Sequence, residues 1–557
     1  MRAALLVLLA ACADPPSGGG ASIVEPPLDP GENSDPGDTT PPDPPSPPVL
    51  RGPAMLAGLA DLDDDDNDRR ADLADLPPSL NNDLVPLEIE PGGDAASFGV
   101  TQLTFAIRGD TDRLRVWHGD TLLLGGDTLT ASLSWPLTTL TLHVGFGDLL
   151  QDATLTVEQL GADGPAGEPL EVALTSAPLM LNHHLQPAEA VWAVAVNSRI
   201  WGDNTAFIQA FTDALGPAFT VVPGERYDGD VWFQDEHEFA TTSTSDRRLD
   251  VVIDSIRDRG LDAWSEREHS GPDLGSLVAG TGRSNSQDSF GNLEVSPPVT
   301  VDGVEHPFGR IYYGANADFG PTPALRDLLA SQVVQDPIEL DTSWLCVGHV
   351  DEFISFVPDS TAPKGFRMAY ADVDTAWAVI DGLDPAMRLP KYASRFAGHG
   401  IATVGDLQSD RGLRAYNDDI RDRWLLVLRA QLMGELGLTE EDVIAIPSLF
   451  EAPFGCEGTA AALIPGMVNL VVANVDGSAP KVLLADPFFR SDLDDLDSDP
   501  IIADVRRRMP AELDLVFVDD WSTYHKALGE VHCGSNIKRT PTPGAWERVR
   551  AILGGAL

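Results

Sequence analysis

The sequence predicts an all-β sandwich followed by a larger mixed α/β domain. Between about residues 85 and 175, short segments of alternating or β-branched apolar residues are separated by Gly/Asp turns, a pattern typical of antiparallel sheets. From about residue 176, strand-like runs alternate with stretches whose apolar residues recur at three- and four-residue spacing, as amphipathic helices require. A hydrophobic fraction of 43% is sufficient to bury a core in both parts.

Individual elements can be placed within these two domains. In the sandwich, which we assign with a preceding acidic loop to residues 51–175, strands are expected at 102–107, 114–117, 138–144 and 153–157. In the second domain, residues 176–557, the clearest strands are expected at 191–196 and 468–472 and the clearest helices at 204–215 and 421–436. The acidic run at 491–499 is expected to be a solvated loop.

The N-terminus has the features of a secretory signal. After Met1 and Arg2 comes an apolar run over residues 3–11, which is too short to span a bilayer, and then Cys12. Residues 9–12, Leu-Ala-Ala-Cys, resemble the bacterial lipobox, in which the cysteine is lipidated. We therefore expect residues 1–12 to be a lipoprotein-type signal peptide and 13–50, rich in Pro, Gly, Asp and Ser, to be a disordered tether. The protein would be exported, with a lipid anchor at Cys12 as its only attachment to a membrane.

Charge and cysteine content limit the classes of partner. Acidic residues outnumber basic ones 87 to 37, for a formal charge of −50, and such a surface repels nucleic-acid phosphates. The charge is compatible with cationic substrates and divalent cations, but solubility of an exported protein explains it equally well. The four cysteines, Cys12, Cys346, Cys456 and Cys533, do not make a disulfide framework, and no CxxC or Cys/His cluster indicates zinc.

The densest acidic run precedes the sandwich. Asp64, Asp66, Asp68 and Asp72 follow the pattern D-x-D-x-D-x-x-x-D, in which alternating carboxylates on a tight loop converge on one hard cation. We predict that these four residues bind calcium. The alternative is a solvated acidic run that continues the tether.

Three segments of the second domain together supply a thiol, an imidazole and two carboxylates. Cys533 lies in Gly-Glu-Val-His-Cys-Gly-Ser-Asn, where the following glycine permits close approach of a ligand. His349 and Asp351 lie in Val-Gly-His-Val-Asp-Glu between strand-like flanks, so alternation predicts that both point to the same face of a strand. Asp235 lies in Trp-Phe-Gln-Asp-Glu-His-Glu, where an extended chain would place the neighbouring amide and acids on the opposite side.

Each of these residues alone is more often structural: a packed histidine, an inert buried cysteine, a solvated acidic edge strand. Together they suit cleavage of a C–N bond at a cationic guanidinium, which requires a nucleophile, a proton donor and negative charge on both sides of the cation.

Five motifs, in the same order along the chain, resemble the signatures of the protein-arginine deiminases, a calcium-dependent branch of the guanidino-group-modifying superfamily. They lie at residues 232–238, 252–261, 289–298, 347–358 and 529–536. The resemblance implies a five-bladed α/β propeller of the pentein type for residues 176–557, preceded by an all-β, immunoglobulin-like sandwich. It also implies calcium-dependent hydrolysis of protein or peptide arginine to citrulline, with release of ammonia through a thiouronium intermediate on a cysteine.

The resemblance further implies a role for each site residue. Cys533 would be the nucleophile, His349 the general acid and later the base, and Asp235 and Asp351 the pair that holds the guanidinium. The side-chain slot and the peptide backbone would be contacted by Trp232, by the backbone of Val347 and by Arg259. One calcium position is implied for Gln234, Glu238, Glu294 and the carbonyls of Phe290 and Leu293. A second is implied for Glu236, Asp254, Ser255 and Asp258, the last of which replaces an asparagine of the family.

Two other functions are compatible with these residues. A deiminase or amidinotransferase acting on a small guanidino compound would use the same groups, although Arg259 favours a peptide. A catalytically dead calcium-binding surface protein has no need of Cys533, His349, Asp235 and Asp351 together.

Overall fold

The computed structural model describes residues 45–136, 138–200, 202–395, 401–475 and 478–554. The predicted signal peptide and residues 13–44 of the predicted tether lie outside these ranges, and the first strand, Val49–Arg51, begins inside the last part of that segment. All elements below belong to the unit Pro47–Leu557. Among the described residues, no helix has both the length and the apolar character needed to cross a membrane.

Two sheets form the N-terminal sandwich. The first contains, in spatial order, Val49–Arg51, Val85–Gly92, Leu140–Phe146, Leu114–His118 and Thr121–Gly125, all antiparallel to their neighbours. The second contains Met55–Gly58, Leu170–Ser176, Asp152–Gly161, Gln102–Gly109 and Thr130–Ser134, with Gly164–Pro165 paired to Asp152–Gly161. Within the described part of this sheet, Met55–Gly58 is parallel to Leu170–Ser176, and the other neighbouring strands are antiparallel.

Period-two alternation explains why these two sheets pack face to face. In Gln102–Gly109 the buried residues are Leu103, Phe105 and Ile107, and in Val85–Gly92 they are Leu87 and Ile89. These side chains belong to one hydrophobic cluster shared by both sheets. One face of each of these two strands is therefore dry, as the sequence pattern predicts.

The larger domain is mixed α/β. Among the described residues it contains five sheets of three or four strands, each with an antiparallel pair extended by a parallel strand. Their strands, in spatial order, are Met180–Leu181, His237–Ser243, Arg248–Asp254 and Leu274–Val278; Phe219–Pro223, Ala188–Ala195 and Ser535–Arg539; Leu293–Val295, Ile311–Gly314 and Ile338–Leu340; Ile354–Pro358, Phe366–Asp372 and Val443–Pro447; and Val471–Ala473, Lys481–Ala485 and Asp514–Val518. A closed propeller arrangement of these sheets stays a prediction.

Two-stranded ribbons and helices complete the domain. The ribbons are Asn197–Ser198 with Gly202–Asp203, Val299–Val301 with Val304–His306, and Phe450–Glu451 with Ala461–Ala462. The α-helices are Thr205–Leu215, Phe233–Glu236, Pro323–Ser331, Val373–Asp381, Pro390–Arg395, Val404–Ser409, Arg411–Ile420, Leu426–Glu435, Pro500–Arg508 and Ala545–Ile552. Shorter 3₁₀ turns lie at Gly216–Ala218, Gly224–Arg226, Ser286–Asp288, Phe290–Asn292, Val350–Glu352, Glu440–Asp442, Leu496–Ser498 and His525–Ala527, and π turns at Ser265–His269 and Arg421–Leu425.

Two local predictions were wrong. Asp235 lies in the helical turn Phe233–Glu236 and not in an extended chain. Asp351 lies in the 3₁₀ turn Val350–Glu352, because the Glu352 carboxylate accepts the backbone N–H groups of Gly348 and His349, at 3.0 and 2.9 Å, and tightens the turn. The strand begins only at Ile354.

A disulfide joins Cys346 to Cys456 across 110 residues. Cys346 directly precedes the segment that carries Val347 and His349, so the bond fixes one end of that segment. The cysteine spacing gave no sign of this pair.

Candidate active site

The predicted catalytic residues lie on short turns that contact one another. These are Phe233–Glu236, Val350–Glu352 with the preceding His349, and the turn that leads into strand Ser535–Arg539. A further turn, Phe290–Asn292, contacts the first two. The backbone N–H of Gln234 donates to the carbonyl of Cys533 at 3.3 Å, which ties the carboxylate turn to the thiol turn directly. Residues almost 300 positions apart are thereby held in one site.

The thiol of Cys533 is buried beside carboxylates. Its Sγ lies 3.4 Å from Oδ2 of Asp351, as a thiol donating to a carboxylate. Burial raises the pKa of Cys533 well above its usual value, and the negative charges of Asp351 and Asp235 raise it further. Without a cation in the site, the thiol therefore stays protonated.

Asn469 is a site residue that the sequence analysis missed. Its Nδ2 donates to Cys533 Sγ at 3.2 Å and to the carbonyl of Asp351 at 3.4 Å. Its Oδ1 accepts the backbone N–H groups of His532 and Cys533, at 2.8 and 3.2 Å. This one amide therefore positions both the nucleophile and one of the carboxylate turns.

Asp235 and Asp351 each carry one free, buried carboxylate oxygen. Within the part of the chain that the structure describes, Oδ1 of both residues is buried without a hydrogen-bond partner. Oδ2 of Asp351 accepts from Nδ1 of His532 at 3.1 Å, and Oδ2 of Asp235 lies 3.1 Å from Nη1 of Arg257. Two buried negative oxygens without partners are costly unless a cationic ligand meets them.

His349 is held in one orientation. Its Nε2 lies 2.9 Å from the carbonyl of Ser286, which can only accept, so Nε2 carries a proton. Its Nδ1 faces Oδ1 of Asp235 at 3.6 Å. Nδ1 is thus the nitrogen available for proton transfer inside the site.

Gly291 lies at the point where the three groups converge. A Cβ added there would be 2.8 Å from Nδ1 of His349, 3.0 Å from Oδ1 of Asp235 and 3.1 Å from Oδ2 of Asp351. Only a residue without a side chain leaves this space open. No periodicity or motif spacing indicated the role of this glycine.

Of the three predicted substrate contacts, Trp232 and Val347 lie beside residues of this centre. The Trp232 ring packs against Gly529, where an added Cβ would meet its Cζ3 at 2.3 Å and the Cβ of Cys533 at 3.3 Å. The carbonyl of Val347 accepts from the Ser286 hydroxyl at 2.9 Å. Arg259 is 39% exposed and its Nε lies 3.3 Å from Asp230, which leaves part of the guanidinium open to solvent.

The first predicted calcium position is partly assembled. Nε2 of Gln234 lies 2.7 Å from Oε2 of Glu238 and 3.4 Å from the carbonyl of Phe290. Leu293 is buried in strand Leu293–Val295. The carboxylate of Glu294 is turned toward two histidines, with Oε2 at 2.8 Å from Nε2 of His184.

At the second predicted calcium position, the structure differs from the prediction in two carboxylates: Asp262 joins the group and Asp258 does not. Glu236, Asp254 and Asp262 offer oxygens within 4.8 Å of one another, whereas Asp258 is exposed and is not part of this group. The Ser255 hydroxyl donates to the carbonyl of Asp288 at 2.8 Å. Oε1 of Glu236 and Oδ1 of Asp254 are buried and lack hydrogen-bond partners among the described residues, so this set fits a divalent cation.

The acidic loop forms two carboxylate groups and not one. Asp64, Asp66 and Asp72 lie within 4.8 Å of one another, while Asp68 contributes its backbone N–H to Asp64 and Asp66. A second group contains Asp61, Asp63 and Asp83, all buried, and each has one oxygen without a hydrogen-bond partner in the described chain. Sequence spacing missed this group because Asp83 is remote from the run.

We expect the metal-free protein to lose stability as pH rises from about pH 6.5 to about pH 9. Burial raises the pKa of Asp61 to about 7, of Glu236 and Asp83 to about 8, and of Asp254 to about 9. In the unfolded chain these groups ionise near pH 4, so over this window the folded state binds more protons and stability falls, by up to about 1.4 kcal/mol per pH unit and group.

Urea unfolding in a chelator and in calcium, across this pH range, measures the effect. Calcium should flatten the pH dependence, because a metal ion binds these groups deprotonated. In chelator, Glu236→Gln should make the fall of the unfolding free energy with pH less steep, because the variant lacks one of the groups that titrate. Equal slopes with and without calcium would contradict the assignment of these clusters as cation sites.

Comparison with known proteins gives the family of the chain. The family described as protein-arginine deiminase (PAD) matches residues 170–547, which include all four predicted catalytic residues. Protein-arginine deiminase type-4 of Homo sapiens is 34% identical over 402 residues, which is 66% of this chain and 55% of that protein. Type-1 of Homo sapiens is 32% identical over 505 residues, which is 85% of this chain and 66% of that protein.

The chain spans little more than half the length of the type-4 relative. Among solved structures, WR4, a C. elegans MSP family member, aligns over 24% of this chain and 99% of its own, at 8% identity and a TM-score of 0.13, a likeness too low to bear on the fold. The family match extends over well more than half of the chain and contains the thiol, the imidazole and both carboxylates. This chain belongs to the protein-arginine deiminase family.

Proposed function

We propose that the protein hydrolyses arginine residues of proteins or peptides to citrulline and ammonia, with calcium as its cofactor. One observation carries this proposal: among the described residues, Asp235 and Asp351 each present a buried oxygen without a hydrogen-bond partner, and the other oxygen of Asp351 contacts the Cys533 thiol. A guanidinium is planar and offers N–H donors along its edges, so it matches two such oxygens better than an ammonium does.

Binding of the substrate cation activates the nucleophile. The pKa of Cys533 is raised by burial and by the carboxylates of Asp351 and Asp235. A guanidinium between these carboxylates offsets part of their negative charge and lies next to the sulfur as a cation, which favours the thiolate that attacks the guanidinium carbon. Asn469 Nδ2, at 3.2 Å from Sγ, holds the sulfur in place.

His349 moves the protons. Its Nδ1 faces the space between the carboxylates and takes up the proton that the Cys533 thiol loses. It then passes this proton to the departing nitrogen, so ammonia leaves as the thiouronium forms. The same nitrogen then takes a proton from the water that attacks the thiouronium carbon. Collapse of that adduct breaks the C–S bond, regenerates the thiol and leaves a ureido group.

Calcium would be held by Gln234, Glu238, Glu294 and two carbonyls at one position, and by Glu236, Asp254 and neighbouring oxygens at the other. Bound calcium would neutralise the mutual repulsion of these acids and fix the turn Phe233–Glu236, which carries Asp235. The orphaned oxygens of Glu236 and Asp254 support this part of the proposal.

We extend the proposal to fold and location. The five sheets of the larger domain are the blades of the pentein-type propeller, and the sandwich is the immunoglobulin-like middle domain. The protein is exported and anchored at Cys12. The Cys346–Cys456 disulfide supports export, since such bonds persist in oxidising compartments.

The test is incubation of the protein with an acetylated, amidated peptide containing one arginine, with calcium or with a chelator. Mass spectrometry should show replacement of the guanidinium by a ureido group in calcium, with equimolar ammonia, and no change in chelator. Free arginine as a parallel substrate separates peptide from small-molecule specificity. Conversion of free arginine alone would assign the small-molecule function instead.

We expect Gly291→Ala to lower kcat by roughly 10²-fold or more, because its methyl would displace His349 and both aspartates from their positions. Gly434→Ala is the matched control, since a Cβ there meets nothing within 4 Å and its helix should gain stability. Steady-state ammonia release measures both variants. Unchanged turnover in Gly291→Ala would show that substrate does not use this space.

A further inference from the structure

We propose that His184, Glu294 and His532 form a binding site for a divalent transition metal, and that Zn²⁺ is the ion this ligand set suits best. The three residues are 8%, 5% and 7% exposed, and their ligand atoms all lie within 4.8 Å of one another. His184 lies outside the five motifs that carry the resemblance, and neither histidine has a role in the proposed reaction.

The Nε2 atoms of both histidines face the same carboxylate. Nε2 of His184 is 2.8 Å from Oε2 of Glu294, and Nε2 of His532 is 3.4 Å from Oε1. Ligand atoms on a tetrahedral zinc ion are about 3.4 Å apart, given bond lengths near 2.1 Å. The two histidine–carboxylate separations are therefore close to those that a bound ion requires, and protons that now hold these contacts would be released on binding.

The other ring nitrogen of each histidine, Nδ1, also has a hydrogen-bond partner, as is usual in metal-binding histidines. Nδ1 of His532 lies 3.1 Å from Oδ2 of Asp351, and Nδ1 of His184 lies 3.0 Å from the hydroxyl of Ser355. Such outer contacts fix the tautomer and orient Nε2 toward the ion. The backbone carbonyl of His184 also accepts from the Arg539 guanidinium at 3.0 Å, which fixes the loop that carries it.

The donor set selects the metal. Two imidazole nitrogens and one carboxylate oxygen suit zinc and its neighbours in the first transition row, whereas calcium takes six to eight oxygens. A fourth position would stay open for water.

The site has a consequence for calcium, which rests on the proposed function. Glu294 belongs to the first predicted calcium position, so one carboxylate would serve two ions. His532 directly precedes Cys533 and contacts Asp351. Zinc bound here would withdraw Glu294 from calcium and hold the turn that carries the nucleophile.

Cobalt binding tests the site. Cys533→Ser is used as the background in calcium-free buffer, so that a thiolate cannot supply a ligand. We expect one equivalent of Co²⁺ to produce the visible absorption of a four- or five-coordinate site, and Zn²⁺ to displace it. In the same background, His184→Asn should weaken zinc binding by more than about 100-fold and Ser355→Ala by about tenfold. His118→Asn, at an exposed histidine of the sandwich, should have no effect.

A folded His184→Asn variant that binds zinc as tightly as its parent overturns the site. If that variant does not fold, an unchanged affinity in Ser355→Ala, which removes only a hydroxyl, overturns it. Saturating calcium should weaken zinc binding at least tenfold if Glu294 is shared, and no change would overturn the sharing. If the protein bound zinc but had no deiminase activity, the proposed function would be wrong and the metal site would still be supported.

Discussion

Cys533→Ala is expected to abolish citrulline formation, with a fall in kcat/KM of roughly 10⁴-fold or more. The thiol is the nucleophile that Asn469, Asp351 and the backbone of Gln234 hold in place, and no second thiol is free among the described residues. Cys533→Ser should be nearly as inactive, because a hydroxyl ionises far less readily than a thiol. Mass spectrometry of the peptide and ammonia release measure both variants.

The folded state of these variants serves as the control. Their Tm should stay within a few degrees of the parent, since only one buried atom is removed or exchanged. Substantial turnover in Cys533→Ala would eliminate the covalent mechanism and leave direct attack by water as the chemistry of the site.

The reactivity of Cys533 without substrate provides a second check. Because its pKa is raised by burial and by Asp351 and Asp235, alkylation by iodoacetamide at neutral pH should be slow. Rapid alkylation of the substrate-free protein would contradict activation of the thiol by the bound guanidinium.

The sequence could identify the reacting groups because each lies in a distinctive short segment. Cys533, His349, Asp235 and Asp351 are named by the motifs, and the structure places them on contacting turns. Their backbone geometry could not be predicted, because apolar flanks look like strands whether or not a half-buried acid such as Glu352 turns the chain between them.

The site residues that the sequence analysis missed are recognised by their three-dimensional contacts and not by their spacing in the sequence. Asn469 bridges Cys533 and Asp351 from a segment that reads as an ordinary strand, and Gly291 matters only because three side chains converge on it. Asp262 and Asp83 join carboxylate groups whose other members lie apart from them in the chain. Such positions need tertiary structure, since no local pattern marks them.

The alternating strands of the sandwich were easier to predict. One face of each must be dry, and a period of two is visible in a single sequence. By contrast, the pairing of Cys346 with Cys456 depends on two loops meeting 110 residues apart. Four cysteines without a repeated spacing contain no information on that contact.

Asp351→Asn is expected to lower kcat/KM by about 10³-fold, because one wall of the guanidinium site loses its charge while its shape is kept. Two effects oppose each other in this variant. The substitution removes a negative charge that raises the pKa of Cys533, so the free thiol should ionise more readily. It also removes the charge-assisted bonds to the substrate, and the loss of these bonds dominates because the thiolate needs the bound cation at the reacting carbon.

The variant should therefore show faster alkylation of Cys533 together with slower turnover, a combination that unfolding or general disorder does not produce. Asp336→Asn is the matched control, because the Asp336 side chain is 63% exposed and has no role in the proposed reaction. This variant should change neither the alkylation rate nor the turnover. If Asp351→Asn slowed both reactions equally, Asp351 would be a positioning residue for Cys533, acting through their 3.4 Å contact, and Asp235 would be left as the carboxylate that holds the substrate cation.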